Sequence, residues 1–135
     1  LNSFILAPLT LKYLFQNDFN TYIAKVNIVK NAEFLHKKIA ISMSDETYND
    51  MPIIAAQAAD EMLSISGIQA SFVLCKVDDV VMISGRSMGD INVQTILEKI
   101  GGGGHLTFAG AQIAGVSLQE AKEKLIDSIE SYLAQ

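Results

Sequence analysis

Residues 84–112 read SGRSMGDINVQTILEKIGGGGHLTFAGAQ, and the parsing of that stretch decides the fold. Ser84 and Gly85 close a β-branched run that starts at Val80. The spacing puts Arg86 just past the end of this strand, where a side chain can leave the sheet. Asn92 to Ile100 has apolar residues at Val93, Ile96, Leu97 and Ile100, the period of a helix. Gly101 is the natural terminator of that helix. Four consecutive glycines then lead into His105, and Ala111 to Gly115 fits a further strand. Strand, helix and strand within about thirty residues predict an α/β fold.

The flanking sequence extends the same pattern. Ile68 to Val77 is a second apolar strand, separated from Val80 by Asp78-Asp79, which predicts a hairpin. Pro52 at a first turn opens a helix through about Leu63, with an Ala-rich face suited to close packing on a sheet. Phe34-Leu35 and Ile39 to Ile41 flank His36-Lys37-Lys38 as another hairpin, so His36 is expected in its solvated turn. Asp18 can cap a helix in which Phe19, Tyr22, Ile23, Val26 and Val29 recur at helical spacing, and Leu9 to Phe15 reads as a shorter helix before it. Ser117 with Glu120 three residues on is a capping-box pattern, and Leu118, Ala121, Leu125, Ile129 and Leu133 form the stripe of a final helix. The expected architecture is α/β, a mixed β-sheet of about five strands with flanking helices. Residues 1–31 are expected to form a helical linker, and 32–135 the domain proper.

Bulk composition narrows the function classes. Half of the 135 residues are hydrophobic, enough to fill one core, and only 19% are charged, which suggests apolar surface covered by something outside this chain. A net charge of −5 argues against broad contact with duplex nucleic acid, which needs a basic face. It leaves room for a small nucleotide held by one local site. Cys75 is the only cysteine, so no internal disulfide forms; it lies in an apolar run and reads as a packing thiol in a cytosolic protein. No segment is long enough to span a membrane and none resembles a signal peptide, so the piece itself is expected to be soluble and without membrane contact. It begins at leucine, as an excised piece of a longer protein would.

The chemistry centres on a few residues. Gly101, Gly102, Gly103 and Gly104 expose backbone N–H groups that no side chain shields, and His105 adds a donor. A glycine run is also what a flexible loop tip looks like, and four glycines lose much entropy on ordering. Arg86 is the only arginine, and its guanidinium fork suits phosphate oxygens. Ser84 and Ser87 flank it, and can either donate to phosphate or close the turn. Asn92 is a candidate ligand contact and also a natural N-cap. No nucleophile–base pair and no carboxylate dyad stands out. His105 and His36 are the only histidines, too few to build a closed metal site without carboxylates.

The Arg86-Ser87 step followed by the Gly101–His105 run resembles the C-terminal DHH-associated domain of the DHH phosphoesterase superfamily. The continuation through Asp90 to Gln94 and then Gly101 to Thr107 is similar to the membrane-anchored bacterial cyclic-di-AMP phosphodiesterases, as are Thr21-Tyr22-Ile23 and Gln57 to Asp60. Phe108 to Ala111 departs from that pattern, where a polar residue and small ones are usual. The resemblance implies a substrate-binding lobe that contacts a cyclic dinucleotide through Arg86, Ser84, Ser87, Asn92, Gly101 to Gly104 and His105. It implies a separate DHH lobe in the same polypeptide carrying two divalent metals, expected to be manganese, because no Asp-His-His triplet occurs here. It further implies a parent anchored to the cell membrane with this domain on the cytoplasmic side, and it is compatible with a homodimer. Two alternatives share the motif: a short-oligonucleotide (nanoRNA) exonuclease lobe, and a non-catalytic tRNA-contacting or dimerisation module of the kind that closes alanyl-tRNA synthetases.

Overall fold

A computed structural model describes residues 18–135, so the helix expected over Leu9 to Phe15 lies outside the described residues. A helix over 18–30 (α1) leads into β1 (Glu33–Leu35) and β2 (Ile39–Ser44). Then come α2 (Met51–Met62), β3 (Ala70–Val77), β4 (Val80–Ser87), α3 (Val93–Glu98), β5 (Gly103–Gly104), β6 (Phe108–Ala114) and α4 (Leu118–Leu133). The strands form one open sheet in the order β1-β2-β3-β4-β6-β5. Only β2 and β3 run parallel, with α2 as their crossover; every other pair is antiparallel. The sixth strand is the two-residue β5, half of the glycine run, which sequence reading treats as loop.

Alternation along each strand divides the core between two faces. Ile41, Phe72, Leu74 and Ile83 face α3 and α4, which contribute Val93, Ile96, Leu97, Ala121, Leu125 and Ile129. Ala40, Val73 and Cys75 face α1 and α2, which contribute Ala24, Ile28, Ile54, Ala55, Ala58 and Ala59. Small residues let α2 sit close: the Ser71 hydroxyl donates to the Ala59 carbonyl at 2.5 Å. Ser42 likewise donates to Ile28, and Ser128 to Ile96. Burial pushes the Cys75 thiol up, as suits an inert packing group.

Two boundary expectations need correction. Arg86 is inside β4, not beyond it, paired with Ser71 on one side and Phe108 on the other. Gly85 looks like a terminator but is a packing glycine; a Cβ there would meet the Phe72 ring at 2.9 Å. In α1 the buried side runs through Ala24 and Ile28, while Tyr22 and Val26 are exposed. Asp18 is already helical. His36 is in the turn as expected, at φ 54°, but its Nε2 meets Glu130 Oε1 at 2.6 Å.

The capping box of α4 forms in full: Ser117 accepts from the Glu120 N–H at 3.0 Å and the Glu120 carboxylate accepts from the Ser117 N–H at 3.1 Å. These hydrogen bonds hold the Glu120 carboxyl below its usual range. Its stabilising contribution is therefore present at neutral pH and lost as pH falls through the lowered folded-state value. Ser117→Ala is expected to cost about 1 kcal/mol in a denaturant melt, with less loss at acid pH.

Candidate functional site

The sheet is covered unevenly. On the face carrying α1 and α2, the helices lie over β2 and β3 and reach only part of β4. The half built by β4, β6 and β5 therefore keeps exposed positions at Phe108, Gly110, Gln112 and Ala114. Cross-strand pairing places Ser84 opposite Gly110, and Gly110 opposite Gly103, in one row. Arg86 and Phe108 form the neighbouring row on one side, Met82 and Gln112 the row on the other. Met82, Ser84, Gly103, Gly110 and Gln112 line a groove of about 540 Å³.

At the Arg86 side of that groove, polar and aromatic groups converge. Arg86 Nε lies 3.2 Å from Asp60 Oδ1 of α2, and Nη1 donates to the Gly85 carbonyl at 2.9 Å. The His105 ring packs on Phe108 with centroids 4.4 Å apart, and its backbone N–H donates to the Phe108 carbonyl at 2.7 Å. Both rings are exposed. A guanidinium, an imidazole and an aromatic face thus stand beside a backbone-floored groove, an arrangement suited to a phosphate with a flat ring attached.

The four glycines are not equivalent. Gly101, at φ +91°, ends the turn after α3, and the Gly102 N–H donates to the Leu97 carbonyl at 2.8 Å. A Cβ on Gly102 would collide with the Gly110 carbonyl oxygen and sit 2.7 Å from Ala111 Cβ. One on Gly104, at φ +148°, would lie 2.5 Å from Ala109 Cα. Folding alone accounts for these three. Gly103 has no positive φ, and a Cβ there would meet nothing within 4 Å. It is the one glycine of the run whose bareness the fold does not require, and it lines the groove.

Two of the sequence candidates are placed elsewhere. Ser87 is buried and turned to the opposite face from Arg86; its hydroxyl donates to Leu106 and accepts from the Gly89 N–H, closing the turn. Asn92 caps α3, its Oδ1 accepting from the Thr95 N–H at 3.1 Å while its own N–H donates to the Tyr132 hydroxyl. The structure brings Ser84, Arg86, Gly103 and His105 to one face, and adds Asp60, Met82 and Gln112. The pairing of Asp60 with Arg86 joins residues 26 positions apart, which no local pattern reveals. Among the described residues no group of three or more His, Cys, Asp or Glu side chains is gathered to hold a metal ion. The described residues of the site do not offer the donor set of a metal centre. A second concavity, between α1 and α2, is lined by Tyr22, Lys25, Val26, Val29, Lys30 and Glu61.

The chain is 44% identical over 118 residues to the cyclic-di-AMP phosphodiesterase PdeA of Listeria monocytogenes, covering 87% of this chain and 18% of that protein. It is 41% identical over 120 residues to the cyclic-di-AMP phosphodiesterase GdpP of Geobacillus thermodenitrificans, covering 88% and 18%. It therefore spans less than a fifth of the length of these relatives. An exopolyphosphatase-related protein from Bacteroides fragilis superposes with a TM-score of 0.74 at 18% identity, over 83% of this chain and 34% of that one, which shows a shared fold. Among the described residues no helix is long and apolar enough to cross a membrane. The DHHA1 domain family matches residues 31–135, and the chain belongs to that family.

Proposed function

We propose that this domain is the substrate-holding lobe of a phosphodiesterase that opens cyclic di-AMP to the linear dinucleotide. The observation that carries the reading is Gly103: a glycine the fold does not need, set in a groove beside Arg86 and the His105–Phe108 pair. The likeness to two cyclic-di-AMP phosphodiesterases supports a cyclic dinucleotide as the substrate class. The bond-breaking groups belong, in this proposal, to a DHH lobe of the same polypeptide, with its divalent metals, manganese in kind. The helix over 18–30 serves as the described part of the link to that lobe, the rest of the expected 1–31 linker lying outside the described residues, and the exposed Tyr22 and Val26 of α1 suit such a junction. In this proposal the parent is anchored to a bacterial membrane, with this domain on the cytoplasmic side.

The work of this lobe is positioning. Arg86 and the His105 imidazole hold a phosphate that does not react, and Phe108 offers a face to the sugar or base. Ser84 and the bare backbone at Gly103 and Gly110 let the ligand lie close to the sheet. Binding energy spent here fixes the other phosphodiester for attack in the partner lobe.

Two experiments test this. The isolated chain with manganese and cyclic di-AMP is expected to yield no linear dinucleotide, while the full-length parent yields it. Steady turnover that follows the isolated chain through purification would overturn the split-site reading. In the parent, His105→Ala is expected to leave thermal stability within about 0.5 kcal/mol, because the ring is exposed. Binding should fall by roughly three- to tenfold, the worth of one hydrogen bond. A large drop in melting temperature would instead make His105 structural.

A further inference from the structure

Arg86 is not a free cation. Its Nε faces Asp60 Oδ1 at 3.2 Å and its Nη1 is used by the Gly85 carbonyl. A guanidinium has five N–H donors, so the outer edge with Nη2 is left for a ligand. The Arg86 side chain is 23% exposed and that of Asp60 63%, so the arginine is held at the sheet while the carboxylate stands at the rim, in water. Lys25 and Glu61 share the adjoining surface cavity with Asp60. Counting Arg86 and Lys25 against Asp60 and Glu61, the local charge cancels.

We infer that Asp60 is a specificity-determining residue, whose carboxylate makes the Arg86 position accept an internal phosphodiester and disfavour a terminal phosphate. The inference rests on the proposed function above, in which Arg86 binds phosphate. Both phosphate types can take the same hydrogen bonds from the guanidinium edge. They differ in charge: a diester carries one negative charge, a terminal phosphomonoester about −1.5 to −2 at pH 7. Beside an unpaired arginine the more highly charged group would win. Beside an Arg–Asp pair its extra charge gains little attraction and meets the carboxylate at close range. In a cyclic dinucleotide both phosphates are diesters. The linear product has one diester and one terminal phosphate, so Asp60 fixes which end of a linear molecule sits here and keeps mononucleotides out.

The test uses the full-length parent and two probes, AMP and its phosphate methyl ester, as inhibitors of cyclic di-AMP hydrolysis. The ratio of their inhibition constants is compared among wild type, Asp60→Asn, Asp60→Ala and Arg86→Ala. Asp60→Asn keeps an acceptor for Nε and removes the charge. It is expected to shift the ratio toward AMP by about three- to tenfold, the range for a solvent-screened charge at this separation. Asp60→Ala should shift it the same way. An unchanged ratio in Asp60→Asn overturns the inference, and so does a shift seen only in Asp60→Ala, which would make Asp60 a positioning residue for Arg86. If Arg86→Ala leaves kcat/KM for cyclic di-AMP unchanged, the proposed function itself fails. If Arg86→Ala damages it and the Asp60→Asn ratio stays at the wild-type value, only the role of Asp60 falls.

Discussion

Gly104→Val is expected to unfold the domain at temperatures where Gly103→Val does not. The two glycines are adjacent and both lie in β5. At Gly104 a side chain must adopt φ near +148° and enter space held by Ala109 and the Phe108 carbonyl. Backbone strain of about 1–3 kcal/mol and overpacking of a similar size together remove roughly 2–6 kcal/mol. For a domain of this size that lowers the melting temperature by upwards of ~10 °C. At Gly103 valine meets open space, takes an ordinary strand conformation, and should leave the melt within about 0.5 kcal/mol. Its methyls then project into the groove, and affinity for cyclic di-AMP in the parent should fall on the order of tenfold, about 1.4 kcal/mol. Differential scanning calorimetry and nucleotide titration on both variants separate the effects. Normal binding by Gly103→Val would remove the groove from the site.

Arg86→Ala is expected to lower kcat/KM of the parent on cyclic di-AMP by about ten- to a hundredfold, since a charge-assisted contact contributes roughly 1.5–3 kcal/mol. The fold should survive. The Asp60 partner is mostly exposed, so the ion pair itself adds well under ~1 kcal/mol. The pairing of Arg86 with Ser71 and Phe108 is backbone pairing and does not need the guanidinium. Steady-state kinetics beside circular dichroism melts check both halves. Unchanged kinetics would return Arg86 to the role of a surface ion-pair residue.

Local signals in the sequence proved dependable. Pro52 in the first turn of α2, Asn92 before α3 and the Ser117–Glu120 pair at α4 are each satisfied within a few residues, so the chain itself carries the instruction. The Asp78-Asp79 hairpin is of the same kind, with Asp78 at φ 55°. What was not legible depends on partners far along the chain. Gly85 and Arg86 look like a strand ending, and only Phe72 beneath the one and Ser71 and Phe108 beside the other keep them in β4. Within the glycine run the four residues are identical letters. Their roles are separated by Ala109, Gly110 and Ala111, which β6 brings alongside. Ser87 illustrates the period-two rule: one step from Arg86 moves a hydroxyl from the groove side to the core side. In α1, apolar spacing marked a helix but not its inward side, which belongs to Ala24 and Ile28.

The sheet ends in very short strands on both sides, three residues of β1 and two of β5. A long flat border strand is a template on which another molecule can zip up hydrogen bonds, the first step of fibril growth. Here the two eight-residue strands β3 and β4 are interior, each flanked by a neighbour on both sides. The border strands are too brief to seed a ladder. Such a layout confines growth by strand addition to the two stretches that the short border strands leave unpaired, residues 42–44 of β2 and 111–114 of β6.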